Sequence, residues 1–168
     1  MIFEVWPDGT MDIGGRLVAV SLGPAGVRPA PDKREGDQAT PAGEWLIRRL
    51  LYRPDKIAAP ATALLVEAIS PSDGWCDAPH DPAYNQPVTL PYPASAERLW
   101  RDDDLYDLVI VLGHNDDPVV PGLGSAIFVH LRRQDGGPTQ GCVALSRADM
   151  LDFLARVGPG DVVRINAA

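Results

Sequence analysis

Cysteine is scarce in this sequence, and basic residues are outnumbered by acidic ones. Cys76 and Cys142 are the only cysteines among 168 residues, too few for a disulfide framework and without the paired spacing of a zinc site. We therefore interpret them as two thiols. The 15 Lys and Arg residues stand against 23 Asp and Glu, which gives a net charge of −8. This balance argues against nucleic-acid binding, because phosphate contacts need clustered basic side chains.

Long apolar runs are also missing. None approaches the ~20 residues that cross a bilayer, so we expect no transmembrane segment. The N-terminal stretch MIFEVWPDG has neither the basic region nor the cleavage site of a secretory leader, so no signal peptide is visible. The sequence is compatible with a cytoplasmic protein, with a mature form that has lost its leader, or with another export route.

What is present is a series of short apolar segments between long Pro- and Gly-rich loops. The pattern predicts one domain over residues 1–168 with a mainly β fold, a sandwich or barrel with one or two short helices. The irregular regions are residues 23–42 and 70–93, and residues 61–69 fit either a strand or a short helix. The predicted strands cover residues 2–6, 10–13, 16–22, 44–52, 106–112, 126–132 and 161–166, and the predicted helices follow Ser95 and Ser146.

One histidine and one cysteine lie at the two ends of a loop in the stretch AIFVHLRRQDGGPTQGCVAL. His130 ends a predicted strand and Cys142 begins the next, and we expect the two strands to be antiparallel neighbours that bring the side chains together. A thiol needs a base beside it to act as a nucleophile at neutral pH, and His130 is such a base. Gly141 lets backbone amides approach a substrate carbonyl, so the amides of Gly141 and Cys142 are candidate oxyanion donors.

A plain structural interpretation stands beside this hypothesis. Lone cysteines are among the most buried residue types, and a histidine at a strand end is often a hydrogen-bonded surface group. Spacing alone leaves both interpretations open.

Several motifs together resemble one family. The run from His130 to Thr139-Gln140-Gly141-Cys142 resembles the active-site signature of the L,D-transpeptidase (YkuD-like) catalytic domain. The segment KREGDQATPAG at residues 33–43 is similar to the family's K-x-G-D-x-x-T-P-x-G loop. Further segments resemble a short single-domain branch of the family, namely GWCD at residues 74–77, VLGHN at residues 111–115 and PGLGS at residues 121–125.

The resemblance implies a fold and a reaction. The fold is an L,D-transpeptidase-like β-sandwich or flattened barrel, and the reaction is acyl transfer on peptidoglycan stem peptides. Cys142 attacks the diamino-acid carbonyl of a tetrapeptide donor, expels the terminal D-alanine and holds a thioester until an amine or water takes the acyl group. His130 serves as general base and acid, while Thr139 and the amides of Gly141 and Cys142 orient the site and stabilise the oxyanion.

The family resemblance also implies a setting for the protein. It implies a monomer in the periplasm or at the cell wall, with stem peptides as partners and a nucleophile that carbapenems acylate. The reaction that the resemblance implies requires no metal or organic cofactor. Whether the enzyme cross-links or hydrolyses stays open. Two positions depart from the common pattern, Leu131 in place of a glycine and Gln140 in place of a histidine. These departures keep a second hypothesis open, a weak or inactive peptidoglycan-binding domain of the same fold.

Four further residues are candidates for substrate binding. His114 either contacts substrate or belongs to a turn-forming His-Asn-Asp cluster, and Trp75 either lines the substrate groove or packs in a long loop. Arg132 is an arginine near the proposed site that suits stem-peptide carboxylates, although solvated surface arginines are common. Gln140, beside the nucleophile, is the fourth candidate.

Overall fold

The computed structural model describes all 168 residues and consists mainly of short strands. A single α-helix, α1, spans Arg147–Leu154, and a 3-10 turn spans Ala30–Asp32. The strands are β1 (Ile2–Trp6), β2 (Thr10–Asp12), β3 (Leu17–Ala19), β4 (Val27–Pro29), β5 (Thr40–Tyr52), β6 (Val66–Ala68), β7 (Asp73–Cys76), β8 (Pro87–Thr89), β9 (Ala96–Arg98), β10 (Leu108–Leu112), β11 (Phe128–Leu131), β12 (Val143–Leu145) and β13 (Val162–Ile165).

Ten of these strands form one large sheet that nearly closes on itself. Its order is β12-β11-β10-β5-β13-β1-β2-β3, and β4 and β6 pair additionally with β5. Ser21, just beyond β3, forms an antiparallel bridge with Ala144 of β12 and so joins the two ends of this order. The remaining strands form a small sheet, β8-β7-β9. The prediction of a mainly β, flattened-barrel fold is confirmed.

Local sequence signals account for the two ends of the chain. β1 and β2 form the predicted antiparallel hairpin, and Gly9 in the turn between them has a φ of +83°, a value that glycine adopts without strain. α1 begins after Ser146, whose Oγ accepts the Asp149 N–H at 3.1 Å and caps the first turn. The last strand, β13, pairs with β1 and β5.

Three predictions of local structure are wrong. The irregular region expected at residues 70–93 contains strands β7 and β8. The helix expected after Ser95 is strand β9, which pairs with β7 in the small sheet. The loop expected at residues 23–42 holds β4 and the start of β5, and Lys33, Ala39 and Thr40 within it are buried. In each case strand pairing supplies the order: β9 and β8 pair with β7, and β4 pairs with the start of β5 inside the same Pro- and Gly-rich region. Composition alone does not reveal such pairings.

Strand β10 separates two cores. All five residues of its sequence LVIVL are buried; Leu108, Ile110 and Leu112 face the larger core, while Val109 and Val111 face the smaller one. The smaller core lies between the main sheet and the small sheet. It contains the candidate nucleophile Cys142 together with aromatic residues from both sheets, Trp75, Tyr106 and Phe128.

No helix of this chain is both long and apolar enough to cross a membrane.

Phe128 links the two sheets, and its loss should destabilise the fold. Its ring is fully buried and packs edge-to-face on Trp75 at 5.2 Å and on Tyr106 at 6.0 Å between ring centroids. We expect Phe128→Ala to lower the free energy of unfolding by about 3–5 kcal/mol, measured by urea denaturation, because a buried aromatic leaves a cavity. Leu17→Ala, at a side chain that is 66% exposed, should change it by less than ~0.5 kcal/mol. A loss below ~1 kcal/mol for Phe128→Ala would show that the small sheet is held in another way.

Candidate active site

His130 and Cys142 lie on the same face of the main sheet. The pairing of β11 with β12 is parallel, so the expected antiparallel arrangement is wrong. In this register Val129 lies opposite Val143, and His130 lies opposite Ala144. Cys142 therefore comes level with Phe128, whose N–H points to the Cys142 Sγ at 3.4 Å. Since alternate residues of a strand share a face, His130 and Cys142 point to the same side.

Thr139 closes the turn that presents the candidate nucleophile Cys142. Its Oγ1 donates to the Cys142 carbonyl at 2.7 Å and accepts the Gly141 N–H at 3.1 Å. Its own N–H donates to the Leu22 carbonyl at 3.0 Å, which anchors the turn to the segment that follows β3. Thr139 is therefore a positioning residue. The Gly141 N–H has Thr139 as its acceptor, whereas the Cys142 N–H has no acceptor within the chain.

Gly141 is held against a second loop. Its φ is +122°, and a Cβ at this position would lie 2.7 Å from the Ala39 carbonyl oxygen. The loop that carries Ala39 is organised by Asp37, which accepts the Ala39 N–H at 2.9 Å and the buried Lys33 ammonium at 2.5 Å. The segment at residues 33–43 thus supports the nucleophile turn from outside.

The Cys142 thiol is buried and neutral. Its side chain belongs to a residue only 7% exposed, and its Sγ donates to the Ala126 carbonyl at 3.2 Å. Burial raises the pKa of Cys142 to about 12 because a thiolate loses its hydration there. At neutral pH the resting group is the thiol.

The His130 imidazole is also neutral. Its Nδ1 lies 2.8 Å from the Leu131 carbonyl oxygen, which can only accept, so Nδ1 carries the proton and Nε2 keeps its lone pair. Burial lowers the pKa of His130 to about 4. The Tyr106 ring packs against it with 5.3 Å between centroids. The arrangement leaves Nε2 as an unpaired base.

Both side chains line one cavity of about 480 Å³. Its rim includes Gln140 and Pro138 from the turn, and its walls include Lys33, Glu97 and Tyr106 from distant parts of the chain. The volume suits a short peptide segment. No group of three or more His, Cys, Asp or Glu side chains is arranged to hold a metal ion.

Comparison with known proteins identifies the family. The family model of the L,D-transpeptidase catalytic domain (YkuD) matches residues 2–165. The chain belongs to this L,D-transpeptidase family. No curated protein matches the chain. Among solved structures, it is similar to the helical cell shape determining protein Pgp2 from Campylobacter jejuni, at 16% identity and a TM-score of 0.42. The match covers 98% of this chain but 46% of that protein, so the chain spans less than half of its length.

Of the four candidate substrate-binding residues, one lines this cavity. Gln140 does so and is exposed. Arg132 does not, whereas its neighbour Arg133 does. Trp75 is buried, donates from Nε1 to Asn85 at 3.0 Å and lines a neighbouring cavity of about 320 Å³. Its surroundings are those of the packed aromatic that the sequence also allowed.

His114 lies outside the cavity as well. It is buried, and its Nε2 lies 3.0 Å from the Leu123 carbonyl oxygen, while its Nδ1 has no partner. Burial lowers its pKa to about 4. Asn115, the next residue, has a φ of +50° and hydrogen bonds across the loop to Val120, which agrees with a turn-forming cluster.

Three cavity residues escaped the sequence analysis: Glu97, Arg101 and Tyr106. Two of them lie in the segment that was predicted to be a helix, and the third was assigned to a buried strand. No motif marks them, and only the pairing of β9 with β7 brings Glu97 to the cavity wall.

The neutral state of Cys142 predicts a distinct pH profile for its alkylation. Because burial raises the pKa of the thiol to about 12, the thiolate fraction should grow about tenfold per pH unit from pH 7 to pH 10. We expect the rate of iodoacetamide labelling of the Cys142 peptide, followed by mass spectrometry, to rise throughout this range. Free cysteine, the control, should level off above its pKa near 8.5. A rate already constant at pH 7 would indicate a thiolate–imidazolium pair instead.

Proposed function

We propose that this protein is a cysteine acyltransferase that acts on peptidoglycan stem peptides through a thioester on Cys142. The observation that carries the proposal is the presence of Cys142 and an unpaired His130 Nε2 on one wall of one peptide-sized cavity. Family membership supports the reaction class. In this proposal residues 1–168 form a single catalytic domain that works as a monomer in the periplasm or at the cell wall.

The first half-reaction forms the acyl-enzyme. Sγ attacks the donor carbonyl while the thiol proton passes to His130 Nε2, so that a thiolate need not form in advance. This order follows from the resting state, because burial disfavours both the thiolate and the imidazolium. The Cys142 N–H, free of any acceptor in the chain, donates to the oxyanion that develops.

His130 then passes the proton on in each half-reaction. The imidazolium protonates the departing amine of D-alanine as the tetrahedral intermediate collapses to the thioester. His130 then removes a proton from the incoming amine or water, and the thiol is restored when the acyl group leaves. Cross-linking and hydrolysis share every step up to the acceptor.

Release of D-alanine from a purified stem tetrapeptide tests this proposal. We expect His130→Ala to fold normally and to lower kcat/KM about 10²–10⁴-fold, because the variant lacks the base. Cys142→Ala should abolish release, and Gln140→His should retain it, since Gln140 is exposed and forms no hydrogen bond with the thiol. Binding of the tetrapeptide without any release by the unmodified chain would favour the binding-domain hypothesis. Unchanged release by His130→Ala would contradict the proposed base.

Carbapenem labelling separates the two thiols. Burial raises the pKa of Cys76 as well as that of Cys142, yet only Cys142 shares a cavity with His130. We expect one carbapenem adduct per chain, on Cys142, because acylation needs a base and oxyanion donors in addition to a thiol. The adduct should disappear in Cys142→Ser and persist in Cys76→Ser. Peptide mapping that places it on Cys76 would contradict the mechanism.

A further inference from the structure

The cationic side chains that line the cavity form ion pairs within the protein, whereas the carboxylates that line it do not. Three cationic side chains line it, and each one already forms an ion pair with a carboxylate that does not line it. These pairs are Lys33 with Asp37 at 2.5 Å, Arg101 with Asp103 at 2.6 Å and Arg133 with Asp135 at 2.9 Å. The positive charge of the cavity is therefore compensated within the protein.

The negative charge of the cavity is not compensated. Glu35, Asp77 and Glu97 line it, and none of them forms an ion pair. Glu35 accepts hydrogen bonds from Tyr84 and Ser125. These bonds hold the loop of Glu35 in place. Asp77 has a buried Oδ1 without any partner. An unpaired carboxylate in such surroundings is unfavourable, and a cation from the substrate would relieve it.

Glu97 has the best position among the three. Its backbone is fixed in β9, where it pairs with Trp75 of β7. Its Oε1 accepts the Tyr106 hydroxyl, and the Tyr106 ring packs against His130. Its Oε2 has no hydrogen-bond partner within the chain. It is not one of the fully buried polar atoms that lack a partner, so a ligand can reach it. One oxygen is thus used for orientation, and the other is free in the cavity that His130 and Cys142 also line.

A bound cation would also change the pKa of Glu97. Burial raises the pKa of Glu97, and the negative charges of Asp77 and Glu35 act in the same direction. The Tyr106 hydroxyl and the Arg101 guanidinium oppose this rise, but Arg101 is bonded to Asp103. A substrate cation at Oε2 would favour the ionised carboxylate further.

We propose that Glu97 is a specificity-determining residue whose free carboxylate oxygen binds an alkylammonium group of the substrate. The inference rests on the proposed function, in which the substrate carries a diamino acid. Its side-chain ammonium can come from the acyl donor or from the acceptor, and the chemistry of recognition is the same. A metal ion does not fit the same place, because no third ligand joins the carboxylates.

The first arm of the test, the donor arm, asks whether the ammonium belongs to the acyl donor. It measures binding to the Cys142→Ser chain, which cannot turn the substrate over. The probes are a stem tetrapeptide with a free side-chain amine and the same peptide with that amine acetylated, compared by titration calorimetry. We expect acetylation to weaken binding about 10- to 100-fold, the range of a buried hydrogen bond to a charged group. Adding Glu97→Gln should remove this difference, while Glu44→Gln, an exposed control that removes the same charge, should keep it.

The second arm, the acceptor arm, asks whether the ammonium belongs to the acceptor. It uses the chain with Cys142 intact. If the ammonium belongs to the acceptor, the tetrapeptides bind the Cys142→Ser chain alike. In that case Glu97→Gln lowers the ratio of cross-linked to hydrolysed product about 10-fold or more. Either pattern supports the inference. Equal binding of the free and acetylated tetrapeptides by the Cys142→Ser chain, together with an unchanged ratio of cross-linked to hydrolysed product in a folded Glu97→Gln or Glu97→Ala chain, overturns it. Undiminished discrimination between the two tetrapeptides by folded Glu97→Gln also overturns it.

The two proposals can fail separately. Discrimination in the binding arm that depends on Glu97, without D-alanine release by the unmodified chain, upholds the ammonium site and contradicts acyl transfer. Release of D-alanine without any dependence on Glu97 in either arm upholds acyl transfer and contradicts the ammonium site.

Discussion

No side chain fits between the backbone of Gly141 and the carbonyl of Ala39, and the candidate site depends on this close approach. A third backbone segment joins them, since a Cβ on Gly23 would lie 2.1 Å from the Gln38 carbonyl oxygen and 3.2 Å from the Gly141 Cα. Three segments far apart in sequence are thereby locked at one point. The turn that presents Cys142 cannot move without disturbing the other two, so Cys142 is held by packing as well as by Thr139.

Burial then sets the chemistry of the site. It moves the pKa values of Cys142 and His130 in opposite directions, to about 12 and about 4, and leaves both groups uncharged at rest. A resting ion pair would react with many electrophiles, whereas a neutral pair reacts when a substrate carbonyl is in place to receive the charge. In this account the cavity restricts reactivity through desolvation, and its unpaired carboxylates favour substrates that bring a cation.

The sequence predicted elements whose cause is local. The first hairpin, the capped helix after Ser146 and the apolar strand at Leu108–Leu112 depend on neighbouring residues, and the structure contains all three. The parallel pairing of β11 with β12 was missed because such connections usually run through a helix, and this one runs through a Gly- and Pro-rich loop. Motif resemblance identified the histidine and cysteine. It carried no information on Glu97, whose place depends on long-range pairing in the small sheet.

Trapping the substrate-derived acyl-enzyme tests the central claim most directly. The protein is mixed with stem tetrapeptide, quenched in acid within the first turnover and analysed by intact-mass spectrometry and peptide mapping. The account predicts a mass increase equal to the donor peptide without its terminal D-alanine, located on Cys142 and absent from Cys142→Ala. Release of D-alanine that persists in Cys142→Ala, or an acyl group found on another residue, would contradict it.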